Sequence, residues 1–149
     1  MKIQTKFLGE VDIVEKEIIS FSEGILGFEE SKDFILLDIP ENDLFKVLQD
    51  TKHDYVAFIV VNPWKFKGDY ALDVPDEELK ELKIKKEEDI AVLSIVNLSD
   101  DFEKSTMNLL APVIINAEDR LGKQYVLNSQ SFSTKEPLFT MVENKSADS

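Results

Sequence analysis

Apolar and polar residues alternate at the start of the chain, with Ile3, Thr5 and Phe7 on one face and Lys2, Gln4 and Lys6 on the other. A period of two is the mark of a half-buried strand. Val11 and Ile13 resume the alternation after Gly9. A two-residue loop at Gly9-Glu10 would pair Lys6 with Ile13 and turn a lysine inward. A three-residue loop, Leu8 to Glu10, pairs Phe7 with Val11 and Thr5 with Ile13 instead. The pattern therefore predicts the longer hairpin, with Gly9 near the left-handed conformation.

Further strands are predicted at Ile18 to Phe21, Phe34 to Ile39, Tyr55 to Asn62, Ile90 to Leu98, Asn108 to Leu110, Val113 to Asn116 and Gln124 to Asn128. Leu44 to Gln49 fits a short helix capped by Asp43 or a strand with Phe45 and Val47 inward; strand is preferred. Turns are marked by Gly24 and Gly27, by Pro40-Glu41-Asn42-Asp43, by Pro63, by Asp100-Asp101 and by Gly122. One helix is expected from Asp73-Val74-Pro75-Asp76-Glu77-Glu78, which offers a cap, an early proline and acids in the first turn. Leu79 and Leu82 then share one side, and Lys80, Lys83, Lys85 and Lys86 follow toward the C-terminal end. No linker or repeat divides the 149 residues. The fold class is mainly β: a single antiparallel domain, barrel-like or a sandwich, of eight or nine short strands with one short helix. The domain spans residues 1–138. Residues 139–149 form a C-terminal tail expected to be partly disordered, because it lacks an apolar face.

Charge changes the picture more than composition does. Thirty Asp plus Glu face seventeen Lys plus Arg, a formal net charge of -13. Direct nucleic-acid binding is disfavoured, since it requires a basic surface that displaces counterions, and an anionic membrane is disfavoured likewise. There is no Cys and His53 is the single His, which excludes thiolate chemistry and any site with two imidazole ligands. No uncharged run, Tyr55 to Trp64 included, is long enough to span a bilayer, and the N-terminus has no apolar signal core. A cytoplasmic location is expected.

The chain offers little for catalysis. It has no phosphate loop, nucleophile elbow or calcium loop. His53 and Asp54 are neighbours on opposite faces of an extended segment and form no relay, which leaves His53 as an exposed turn residue. Glu29-Glu30, Glu87-Glu88 and Asp100-Asp101 fall at turns, where solvated carboxylates are ordinary. No catalytic, cofactor or metal residues are assigned. Asn62, Asn108 and Asn116 interrupt apolar runs, and most simply satisfy backbone groups at strand ends or bulges; display to a partner is the second reading. Trp64, Phe66 and Tyr70 cluster about Lys65, Lys67 and Gly68, a loop over one end of the core that also has the composition of an interface anchor. Asp73 to Asp89 holds eight carboxylates and four Lys, a solvated face or a contact surface for a basic protein.

Several blocks together resemble the flagellar assembly factor FliW family. They are Ile19-Ser20-Phe21-Ser22-Glu23-Gly24-Ile25-Leu26-Gly27-Phe28; Leu48-Gln49-Asp50; Ala57-Phe58-Ile59-Val60-Val61-Asn62-Pro63 with Tyr70 following; Asn108-Leu109-Leu110-Ala111-Pro112-Val113-Ile114-Ile115-Asn116; and Gly122-Lys123-Gln124-Tyr125-Val126-Leu127. Within them Gly24, Gly27, Phe28, Gln49, Phe58, Pro63, Asn108, Leu109, Pro112, Asn116 and Gln124 serve as family markers, read first as turn-shaping or core residues. The resemblance implies a compact antiparallel β-barrel that is not an enzyme. It implies two protein partners, the translational regulator CsrA, which the family antagonises, and flagellin, which takes the factor away from CsrA. Of RNA mimicry and a separate allosteric site, the resemblance favours the separate site. The contact region expected on this chain is the acidic stretch, with Asp73, Glu77, Glu78 and Glu81, and with Trp64 and Tyr70 as anchors. A monomer is expected.

Overall fold

The computed structural model describes residues 1–128 and 131–139. The sequence-predicted tail falls outside them apart from Phe139, whose ring packs edge-on against Phe102 with centroids 5.3 Å apart.

The chain forms a mainly β domain with one short α-helix. Strands β1 (Lys2–Gln4) and β2 (Glu10–Asp12) make a separate hairpin. The main sheet is built from β3 (Ile19–Ser20), β4 (Asp33–Ile39), β5 (Asn42–Asp50), β6 (Ala57–Val61), β7 (Ile90–Asn97), β8 (Thr106–Met107), β9 (Val113–Asn116), β10 (Leu121–Gln124) and β11 (Glu136–Pro137). Helix α1 covers Asp76–Glu81. Within the sheet, β7-β6-β5-β4-β3-β10-β9 are neighbours in that order, and β9 returns to pair with β7. The sheet thus closes on itself as a seven-stranded barrel, which leaves no free edge around the ring. Strands β8 and β11 extend the wall beyond β7.

Closure explains the apolar runs. Phe34 and Leu36 of β4 point into the barrel with Leu48, Phe58, Val60, Leu93, Val113 and Ile115. Ile35 and Leu37 point outward and are covered by Ile3, Val11 and Ile13 of the hairpin. Both faces of β4 are buried, so its sequence does not alternate. A second cluster lies outside the barrel wall, where Phe45, Val61, Val96 and Met107 pack with Tyr70, Leu109, Leu127 and Leu138.

Several expectations need correction. The hairpin pairs Ile3, not Phe7, with Val11. Thr5 causes the slip: its backbone amide and Oγ1 both donate to the Gly9 carbonyl, and the Leu8 amide donates to its Oγ1. The turn therefore starts at Thr5 and leaves Phe7 exposed, although Gly9 does sit in the left-handed region at φ 69°. The pairing is antiparallel except between β3 and β10, which run parallel at Leu121 and Ser20. Asn108 to Leu110 is a turn, because the Asn108 side chain draws the backbone amides out of any ladder; the strand precedes it. Gly122 is not a turn but the second residue of β10, and a Cβ there would meet the Phe21 ring at 2.4 Å. Helix α1 starts without a side-chain cap, and Lys83 already lies at φ 58°, so Lys85 and Lys86 stand beyond the helix. Leu44 to Gln49 is strand as preferred, within β5.

Candidate protein-interaction surface

The two ends of the barrel are built differently. At one end the segment between β3 and β4 folds back over the opening. Ile25 enters the barrel core and Phe28 stacks edge-on against Phe58 at 5.2 Å. The reversal depends on Gly24, at φ 66°, where a Cβ would lie 2.6 Å from the Phe28 and Glu29 carbonyl oxygens, and on Gly27 at φ 85°. Gln124 fastens the loop by accepting the Leu26 amide hydrogen at 2.9 Å and donating to the Ala111 carbonyl at 3.2 Å. Leu26 remains 61% exposed at the tip.

The same end holds a buried polar knot. The Gln49 side chain is fully buried and points away from the barrel interior. Its Oε1 accepts from the Lys6 amide at 3.0 Å and its Nε2 donates to the Asp50 and Val56 carbonyls at 2.9 and 3.2 Å. Next to it, Asp50 accepts from the Lys52 and His53 amides and lies 3.0 Å from His53 Nδ1. Burial alone would raise its pKa, but the hydrogen bonds from His53, the Lys52 amide and Ser31 outweigh it and leave the carboxyl below its usual value. His53 is an exposed turn residue, as expected from sequence, yet its partner is Asp50 and not the adjacent Asp54. The three-residue spacing across a turn was the available signal.

The opposite end is open. A cleft of about 900 Å³ descends to Leu36, Val60 and Leu93 of the barrel core, and its rim carries Leu44, Trp64, Leu72, Asp73 and Leu79. Trp64 is placed by a chain of hydrogen bonds. Asn62 Oδ1 accepts the Trp64 amide hydrogen at 3.0 Å and starts the 3-10 turn Pro63–Lys65. Trp64 Nε1 donates to the Tyr70 carbonyl at 2.8 Å, and Tyr70 Oη donates to the Leu109 carbonyl at 2.7 Å. Trp64 is 38% exposed, whereas Tyr70 is buried and burial pushes its phenol up to about 12. Of the two sequence-predicted anchors, only Trp64 has its side chain available to a partner. Tyr70 works from behind as its support.

The acidic residues also divide. Lys123 Nζ on β10 lies 2.6 Å from Glu78, 3.1 Å from Glu81 and 3.3 Å from Glu23. Burial would lower this ammonium, but the three carboxylates outweigh burial and hold it above the usual lysine range. Glu78 and Glu81 thereby pin α1 to the barrel wall. Glu77 and Asp73 are exposed and make no ion pair among the described residues. Asn116 fastens the far end of the helix, donating from Nδ2 to the Leu82 carbonyl at 2.8 Å while its Oδ1 accepts from the Glu118 and Asp119 amides. All three asparagines, Asn62, Asn108 and Asn116, therefore bind backbone groups at strand ends. The remaining family markers shape the chain: Pro63 and Leu109 are buried, and Pro112 accepts the Tyr125 amide hydrogen at the entrance to β9.

The fold is a small closed β-barrel with a plugged end, an open end and an acidic helix beside the opening. The family model for the FliW protein matches residues 2–138. The flagellar assembly factor FliW of Oceanobacillus iheyensis is 41% identical over 135 residues, covering 91% of this chain and 92% of its own. That of Clostridium tetani is 41% identical over 145 residues, covering 97% of this chain and 99% of its own. A solved structure, described as the crystal structure of the flagellar assembly factor FliW, superposes with a TM-score of 0.89 at 38% identity, covering 94% of this chain and 98% of that one. This chain belongs to the FliW family of flagellar assembly factors. No helix among the described residues is long and apolar enough to cross a membrane, and no cluster of potential metal ligands occurs among them.

Proposed function

We propose that this protein is a non-enzymatic, cytoplasmic regulatory binder that antagonises CsrA and is withdrawn from it by flagellin, so that flagellin synthesis follows flagellar assembly. The observation that carries this reading is membership of the FliW family across residues 2–138. Electrostatics supports it. An RNA-binding regulator must present basic surface, and a partner with net charge -13 attracts it over several ångströms before contact. The contact region we assign is the acidic face from Asp73 to Asp89 with Trp64 at its edge, acting on a monomeric factor without touching RNA.

The test is a competition measurement. CsrA bound to a labelled flagellin leader RNA is titrated with the protein, then with flagellin. Release of RNA on the first addition and its recapture on the second is the expected result. Flagellin binding with unchanged CsrA–RNA affinity would replace the reading with that of a chaperone that only holds flagellin. A carboxylate hydrolase is the other alternative: Glu78 and Glu81 converge on an ammonium outside the cleft and Asp50 turns into its own loop, which leaves Asp43, Asp73 and Glu87 as the carboxylates that line it. For the contact region, Glu77→Lys is the informative reversal, because Glu78 and Glu81 also hold α1 in place. It should weaken CsrA about threefold to tenfold at low salt, read by calorimetry; an unchanged dissociation constant would remove this face from the interface.

A further inference from the structure

The open end of the barrel carries chemistry that the acidic face alone does not. Its floor is formed by core residues Leu36, Val60 and Leu93, and its rim by Leu44, Trp64, Leu72 and Leu79. Leu44 is 44% exposed and Trp64 38% exposed, so the apolar surface is continuous from solvent to core. At the other end the equivalent opening is filled by Ile25 and Val56 from the same chain. Trp64 is held at the rim by the Asn62 cap and the bond to the Tyr70 carbonyl, so a ligand meeting it has little side-chain entropy to remove.

The charges around the cleft fix the kind of ligand. Asp43, Asp73 and Glu87 line it and make no ion pair among the described residues. Of the two lining lysines, Lys46 is committed to Asp38, which leaves Lys65 against three carboxylates. A volume of about 900 Å³ accommodates several large apolar side chains and lies at the upper end of small-ligand sites.

We infer that the barrel mouth is a docking groove for an apolar peptide segment with Lys or Arg on its flanks, carried by a protein partner. The apolar side chains enter between Leu44, Trp64 and Leu79, and the flanking cations meet Asp43, Asp73 and Glu87. The excess of acid on this chain then acts locally: it selects which apolar segments are admitted, since one with acidic flanks meets like charge at the rim.

Trp64 is the single tryptophan of the chain, so its emission reports on the mouth directly. The purified protein is titrated with three synthetic peptides of equal length, built from Leu and Lys, from Leu and Glu, and from Gly and Lys. The Leu/Lys peptide should move Trp64 emission to shorter wavelength and saturate, and the other two should not. The double variant Leu44→Lys with Asp73→Lys, both exposed positions, should bind the Leu/Lys peptide about tenfold more weakly or worse with an unchanged circular dichroism spectrum. No emission shift with the Leu/Lys peptide overturns the inference. So does an equal response to the Gly/Lys peptide, which would show charge attraction only, or to the Leu/Glu peptide, which would show no selection by the rim. Neither CsrA nor flagellin enters this titration, so its failure leaves the proposed regulatory function standing, and the converse also holds.

Discussion

The plugged end of the barrel spends its polar groups inward, whereas the open end leaves them facing solvent. Around Gly24, Gln49 and Asp50, backbone and side-chain donors find partners within the chain, and Ile25 completes the core. Around Trp64, the hydrogen bonds serve only to hold the indole at a rim, and the neighbouring Asp43, Asp73 and Glu87 stay unpaired among the described residues. Buried polar groups left without partners cost more than their bonds contribute, so an end that satisfies them becomes rigid and sensitive to substitution. An end that keeps its charges hydrated tolerates change and remains available to a partner. One end of the barrel is therefore closed by its own chain, and the other is left open to solvent.

The largest break in this contrast should come from Gly24→Val. The substitution places a branched side chain at positive φ and against two backbone carbonyls that cannot swing aside. A loss of about 3 kcal/mol or more in urea unfolding is expected, with expulsion of Ile25 from the core. A loss below ~1 kcal/mol would mean the loop has another conformation at little cost.

Gln49→Ala should follow at roughly 2–3 kcal/mol, because it strands the Lys6 amide and leaves a void between hairpin and barrel. The denaturation midpoint should fall and amide exchange at Lys6 should rise together. Exchange unchanged at Lys6 would refute the tie between them.

Lys123→Met tests the boundary between the two regions. Removing the ammonium sets Glu23, Glu78 and Glu81 against one another and releases α1 from β10. About 1–2 kcal/mol is expected at low salt, shrinking as salt is added. A loss independent of salt would point to packing of the lysine stem instead.

The smallest effect is a slope. Asp50 has a folded-state pKa below the ordinary aspartate value of 3.8, so the stability it contributes is complete above that value. It is lost as pH falls through the lower folded-state value. Asp50→Asn should therefore flatten the acid limb of the stability curve below about pH 4 and leave its shape near neutrality unchanged. Two parallel acid limbs would show that other carboxylates carry it. Glu77→Lys, by contrast, should shift stability by less than ~0.5 kcal/mol, as befits a solvated position near the open end.

How far the site was legible varied with the range of the interactions. The turn at Gly24 and Gly27, the asparagine caps and the acidic helix are local, and residue type at fixed spacing announces them. The partition of the acids is not local. Nothing between Asp73 and Asp89 says that Glu78 and Glu81 meet a lysine more than forty residues away, or that Glu77, next to Glu78, does not. Tyr70 looked like an anchor beside Trp64 because composition cannot tell which of two neighbouring aromatics is buried. Its hydroxyl reaches Leu109, and that contact depends on how β6 and β8 are placed.

By itself, then, the sequence determined a β-rich chain with one short helix, its turn positions, its strong negative charge and its family, all of which depend on residue type and near-neighbour order. Tertiary structure decided the rest. It closed the barrel through β7 and β9, set β3 parallel to β10, slipped the first hairpin to Ile3 and Val11, and opened one end while filling the other. These outcomes turn on which faces are covered and which polar groups find distant partners, and that is a property of the whole packed chain, not of any segment of it.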